Sequence, residues 1–178
     1  MKLKTGTAAL ILICLVVFAV GFGAYRGWNK EKSLVNETYP KLEAMLQTRV
    51  ESANNVLTVA SRHLPGSDDL LLQVSRDRDI LAGKASLREK AAANEALTRD
   101  ASALLEQLSS LSSVQEDSRD LMYVSSYLPQ MLAESESLTA KANYNTAARE
   151  FNESLKGSFS GWLARLMNIG PAEEFTAQ

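Results

Sequence analysis

The chain has 178 residues, 19 Lys and Arg against 21 Asp and Glu, and a formal net charge of −2. Interspersed charge with no basic block argues against a nucleic-acid partner, and a single cysteine excludes an intrachain disulfide. Four prolines and nine glycines among abundant Ala, Leu, Glu, Ser and Arg favour helices. No stretch keeps strand alternation between turn signals, so the soluble part reads as all-α.

Thr5 to Tyr25, TGTAALILICLVVFAVGFGAY, carries no charge and lies between Lys4 and Arg26. As a helix it would extend about 31 Å, the thickness of a bilayer's hydrocarbon core. It is expected to be a single transmembrane helix, making residues 1–25 an anchor with a short N-tail. A cleaved signal peptide competes: Lys2 and Lys4 form a basic n-region, but no A-x-A pattern follows the apolar run. A lipoprotein signal ending at Cys14 would need a small residue where Ile13 stands, so Cys14 reads as a small apolar residue of the helix. A pilin-type leader would need an acidic residue inside the run, and none precedes Glu31. Lys2 and Lys4 place the N-terminus inside and the bundle outside the cytoplasm, while Arg26, Lys30 and Lys32 pull the other way. Tyr25 and Trp28 stand where interfacial aromatics belong.

Residues 26–37 are polar with mixed charge, and either continue the membrane helix or form a short neck. Thr38-Tyr39-Pro40 has the form of a helix start, with Thr38 as cap and Pro40 in the first turn. Leu42, Met45/Leu46, Val50, Ala53, Val56/Leu57, Ala60 and then Leu64 recur at three and four, giving one apolar stripe. Pro65-Gly66 signals a turn, and Ser67-Asp68-Asp69 caps a second helix bearing Leu71, Leu72, Val74, Ile80 and Leu81. Gly83 interrupts it and Ser86 caps a resumption. Leu97, Ala101, Leu104, Leu105, Leu108 and Leu111 form a third stripe close to a heptad. Ser109 to Glu116 reads as a turn. A fourth helix starts at Asp117 or Ser118 and runs to Gly157, with a kink expected near Ser125–Pro129. Residues 38–157 thus form an antiparallel four-helix bundle.

Residues 158–178 differ. Phe159, Trp162, Leu163, Leu166, Met167 and Ile169 make a short apolar helix with Arg165 as its one charge, stopped by Gly170-Pro171. Its simplest role is a cap on the bundle's end. The sharper reading is a membrane or intersubunit contact surface including Phe159, Trp162, Leu163, Leu166, Met167 and Phe175.

Candidate chemistry is sparse. His63 is the only histidine and reads as a capping or surface residue, with no second ligand type around it for a metal. Glu150 and Glu153 share a face without a histidine, unlike di-iron ligands. No G-x-S-x-G elbow, P-loop or G-x-G-x-x-G occurs. No nucleophile-plus-base pair is indicated, no cofactor is expected, and the chain is expected not to be an enzyme.

The most informative pattern is YNTAAREFN, Tyr144 to Asn152. Tyr144, Ala148, Phe151 and Leu155 share one side, and Asn145, Arg149 and Asn152 form an adjacent polar stripe. These three, with Arg49 and Asn55 of the first helix, are expected to form a polar clamp that fixes helix register. The competing reading is a ligand or partner groove.

These residues resemble the C-terminal signature of the LemA family. It comprises a tyrosine-asparagine pair (Tyr144-Asn145), an arginine (Arg149) and an aromatic-asparagine pair (Phe151-Asn152). A short hydrophobic segment from Phe159 follows, then Gly170-Pro171 and a closing Phe175. Tyr39, Leu42, Leu46, Arg49, Glu51, Asn55, Val56 and Leu57 match the order of the family's first helix. Departures are Asn54 where the family has proline, the Pro65-Gly66 break, and Lys141 for the arginine before the signature. The resemblance implies one N-terminal membrane helix, an antiparallel helical bundle and no established enzymatic activity. The expectation is a self-associating scaffold or interaction module in the bacterial inner membrane. Its partners would be the lipid bilayer, further copies of itself and a membrane or envelope protein. A sensory or ligand-binding bundle is the alternative.

Overall fold

A computed structural model describes residues 5–177, with side chains for all but residues 5 and 158–160. Among these residues there is no strand. The helices are α1 (Thr5–His63), α2 (Asp69–Ala82), α3 (Leu87–Ser109), α4 (Ser112–Gln115) and α5 (Ser118–Met122). A π-helical turn (Tyr123–Tyr127) leads into α6 (Leu128–Ala140), followed by α7 (Tyr144–Ser154) and α8 (Ser158–Leu166). The chain divides into two compact units: residues up to Glu37 with Thr146–Ala172, and Thr38–Asn145 with the residues from Glu173 on.

In the first unit, α1 begins as a long apolar helix that is a candidate membrane span. Lys2 and Lys4 lie outside the described residues. The covered positions on this part of α1 are Gly21, Ala24, Trp28, Glu31 and Val35, at spacings of three and four. Trp28 is therefore not an interfacial aromatic: it is buried, and its indole N–H points at the Ser154 carbonyl at 3.5 Å. Tyr25 is exposed. On α8, Leu163 and Ala164 are buried while Trp162, Leu166 and Met167 are exposed. A Cβ on Gly161 would come within 2.9 Å of the Leu155 carbonyl oxygen, so the corner between α7 and α8 requires glycine there. Helix α8 ends at Leu166, earlier than Gly170-Pro171 suggests. Asn168 takes φ 55°, its N–H reaches the Arg165 carbonyl at 3.1 Å, and the Ile169 N–H reaches Ala164 at 2.8 Å. That is a Schellman motif with asparagine in the left-handed position.

The start expected at Thr38 does not exist. Helix α1 continues through residues 26–37 and carries Pro40 in its interior. Pro40 withdraws a hydrogen bond from the Asn36 carbonyl; both residues are exposed, so water can take its place.

The second unit is the bundle, built from α1 beyond Thr38, α2, α3 and the α5–π–α6 rod. Leu42, Leu46, Val50, Ala53, Val56 and Ala60 are buried on α1, and Leu97, Ala101, Leu104 and Leu108 on α3. Local signals place the hairpin of α2 and α3. The Asp68 carboxylate accepts from the Leu70 and Leu71 N–H groups at 3.1 Å. Ser86 and Glu89 form a reciprocal capping box. The kink expected at Pro129 is a π turn: the Leu128 N–H bonds to the Tyr123 carbonyl, one residue further back than in an α-helix. The wider turn relieves the clash of the Pro129 ring with the carbonyl of Ser125. The expected turn at 109–116 contains the short α4, and the fourth helix stops at Ala140 rather than Gly157.

Between α2 and α3, Asp77 and Asp100 are buried as a carboxyl pair. Burial and the neighbouring Asp100 charge push Asp77 up to about 6. One Asp77 oxygen has no hydrogen-bond partner. A native pKa raised above the unfolded value stabilises the fold at low pH, and this stabilisation is lost as pH rises through about 6. We expect Asp77→Asn to narrow the difference between urea midpoints at pH 5 and pH 7.5 by raising the value at the higher pH; an unchanged difference would refute the pairing.

Candidate functional site

The expected clamp residues are divided between the two compact units: Arg149 and Asn152 belong to the first, and Arg49, Asn55 and Asn145 to the second. Arg49 is fully buried and is the hub of its own network. Its Nε donates to Asn94 Oδ1 at 3.1 Å, and Nη1 to the Leu132 carbonyl at 2.9 Å and Ser135 Oγ at 3.1 Å. Its Nη2 donates to Thr98 Oγ1. Ser135 Oγ in turn donates to the Leu132 carbonyl at 2.9 Å. One guanidinium thus joins α1, α3 and α6, using the planar fork that lysine lacks. Burial pulls its pKa down from the ordinary guanidinium value, and Glu136 acts in the opposite direction.

Asn55 is exposed and faces the Met131 sulfur at 3.5 Å. Arg149 is also exposed on α7, not deep in a bundle. Asn145 and Asn152 each grip the C-terminal segment. Asn145 Nδ2 donates to the Phe175 carbonyl at 2.7 Å while its Oδ1 accepts from the Phe175 N–H at 2.8 Å. Asn152 does the same to Ala172, at 3.0 and 2.7 Å. Each amide copies a peptide group, satisfying both backbone polar atoms of one residue.

The second unit adds further ties to that segment. The Tyr144 hydroxyl donates to the Glu173 carbonyl at 2.7 Å, and the Arg88 N–H at the start of α3 donates to Glu173 Oε1 at 3.1 Å. Tyr39 meets Tyr144 edge to face at 5.9 Å. Burial, then the Glu173 charge, pushes the Tyr144 phenol up. Phe175 lines a cavity of about 250 Å³ with Leu42, Tyr144 and Asn145.

Of the expected contact residues, Trp162, Leu166 and Met167 are exposed. Leu163 is buried, so it is part of the inner face of α8 and not a surface contact. Phe175 is half-buried, and the side chain of Phe159 lies outside the described residues.

A third cluster escaped sequence reasoning. The His63 side chain is buried, not at the surface: Nε2 lies 2.9 Å from Asp120 Oδ2 and Nδ1 lies 3.1 Å from Ser113 Oγ. Arg62 Nη1 takes the other Asp120 oxygen at 2.8 Å. A hydroxyl, an imidazole and a carboxylate therefore do stand in series, which the spacing of these residues gave no reason to expect. The histidine hydrogen bond, ahead of Arg62, holds Asp120 below the usual carboxylate range. Both carboxylate oxygens are taken by the last turn of α1, so the cluster ties that helix end to α4 and α5. Beside it, a groove of about 510 Å³ is lined by Asn55, Arg62, Arg119, Tyr123, Tyr127 and Met131. Among the described residues, no three His, Cys, Asp or Glu gather as a metal site.

Hydrogen bonds to a charged group contribute about 1.5–3 kcal/mol each. We expect Arg49→Ala to lower unfolding free energy by about 3 kcal/mol or more, and Arg49→Lys to recover only part, both read from urea midpoints. Asn145→Asp keeps the shape and the acceptor but loses the donor to the Phe175 carbonyl. It should cost about 1–3 kcal/mol and speed amide exchange at Phe175, while Asn152→Asp should do so at Ala172.

No curated protein and no solved structure matches the chain. A LemA family model matches residues 38–178, which takes in the buried arginine of α1, the Tyr144–Asn152 segment and the C-terminal segment gripped by its asparagines. The chain belongs to the LemA family.

Proposed function

We propose that this chain is a membrane-anchored helical-bundle scaffold that associates with copies of itself at a bilayer. The observation that carries the anchor is the bare apolar surface of α1: Leu10, Ile13 and Phe18 are 64, 63 and 72 % exposed. Each buried apolar Å² is worth about 25 cal/mol, so a helix of this length left in water would be strongly unfavourable. On this reading residues 5–25 cross the inner membrane of a bacterial cell once. The bundle stands on the extracytoplasmic side, where it also meets a membrane or envelope protein partner. The reading assigns the chain no catalytic step. Self-association is assigned to the groove at the π turn, where exposed Tyr127 and Met122 add apolar surface next to Tyr123 and Met131.

A ligand-binding role is supported by the same groove, because Arg62 and Arg119 bring two cations to its wall. Mass measurement of the full chain in detergent separates the two readings. The scaffold reading expects a multiple of the chain mass, reduced by Tyr127→Glu with Met131→Glu. A single chain per detergent particle would defeat it and leave the ligand-binding reading. Deleting residues 158–178 is a poorer test, because it removes the Ala172 and Phe175 backbone that Asn152 and Asn145 hold.

A further inference from the structure

We propose that α8 is a second membrane-contacting element: an interfacial helix that lies in the boundary of the same bilayer as the span, with Trp162, Leu166 and Met167 facing lipid. The proposal rests on the anchored reading of α1 and adds a lipid-facing surface beyond it. All of its residues belong to the first compact unit.

Helix α8 packs on the span itself. A Cβ on Gly21 would lie 3.7 Å from Leu163 Cδ2, and Gly21 and Ala24 are the partly covered positions within residues 6–25. Gly21 stands four residues before Tyr25, the last residue of the apolar stretch, which is about 6 Å along the helix axis. Interfacial helices bury their apolar face about 5–10 Å into the headgroup and acyl boundary, so the contact places α8 at the depth such helices occupy.

The faces of α8 divide accordingly. Leu163 and Ala164 turn inward at 8 and 2 % exposure, whereas Trp162, Leu166 and Met167 are 56, 70 and 40 % exposed. The span is likewise bare beside Gly21, where Phe18 and Phe22 are exposed and stack on one another. Arg165 is exposed; its long stem lets the guanidinium reach headgroup phosphates. No acidic residue occurs from Ser158 to Ala172, so nothing on α8 repels an anionic surface.

The test uses the full chain with Cys14→Ser, reconstituted in vesicles of phosphatidylcholine and phosphatidylglycerol. A spin label is placed through Leu166→Cys or, separately, Phe18→Cys. Collision with oxygen and with a water-soluble nickel chelate is then measured. The expected result is that both labels meet oxygen and are shielded from nickel, with the Leu166 label shallower than the Phe18 label. A shielded Phe18 label with a nickel-accessible Leu166 label would overturn the interfacial helix and leave the anchor standing. A nickel-accessible Phe18 label would overturn both. Dipolar broadening between Leu166 labels would show that a second copy covers this face, which also overturns the proposal.

Discussion

A fully buried cation fixes the register of the bundle's helices. Arg49 is fully buried, and its hydrogen-bond partners are an amide, two hydroxyls and a carbonyl, not a carboxylate. A buried charge is tolerated only when its donors are satisfied. Here the satisfaction comes from three helices at once. Sliding α3 or α6 by one residue would strip the guanidinium of Asn94 and Thr98, or of Leu132 and Ser135. Apolar stripes alone allow such slips, because one leucine replaces another at modest cost. The arginine therefore sets register where the leucines supply bulk stability.

The C-terminal segment is held by a second device of the same kind. A chain without helix or strand has no internal partners for its peptide groups. Asn145 and Asn152 supply them, each closing a two-bond ring on one residue. The Tyr144 hydroxyl adds a third tie. The polar stripe on α7 is thus explained by backbone accounting: its asparagines serve Phe175 and Ala172, and the arginine of α1 serves other helices.

Much of this was legible in the residues. The all-α class, the apolar first helix, the Asp68 and Ser86 caps and the disturbance at Pro129 follow from local chemistry acting within a few residues. So does the importance of Arg49, a charge standing in an apolar stripe between Leu46 and Val50. Its partners were not legible, because Asn94, Thr98 and Ser135 look like ordinary helix-surface residues until helices pack. The 26–37 stretch left a continuing helix and a neck both open for a related reason. Its charges hide Trp28 and Val35, which extend the three-four stripe back to Gly21. Thr38 and Pro40 offer a local start signal that a continuous buried stripe overrides.

By itself the sequence determined the all-α class, the apolar first helix, the caps at Asp68 and Ser86, the disturbance at Pro129 and the family to which the pattern belongs. Propensity, capping and proline sterics operate over one or two turns and are written locally. Only the tertiary structure decided which distant groups meet. Arg49 to α3 and α6, His63 between Asp120 and Ser113, the asparagines on the C-terminal segment and Leu163 against Gly21 are all of that kind. Each is a pairing across tens of residues, and no local preference encodes it: it arises where buried polar groups and apolar faces find partners at fixed distances once the helices are side by side.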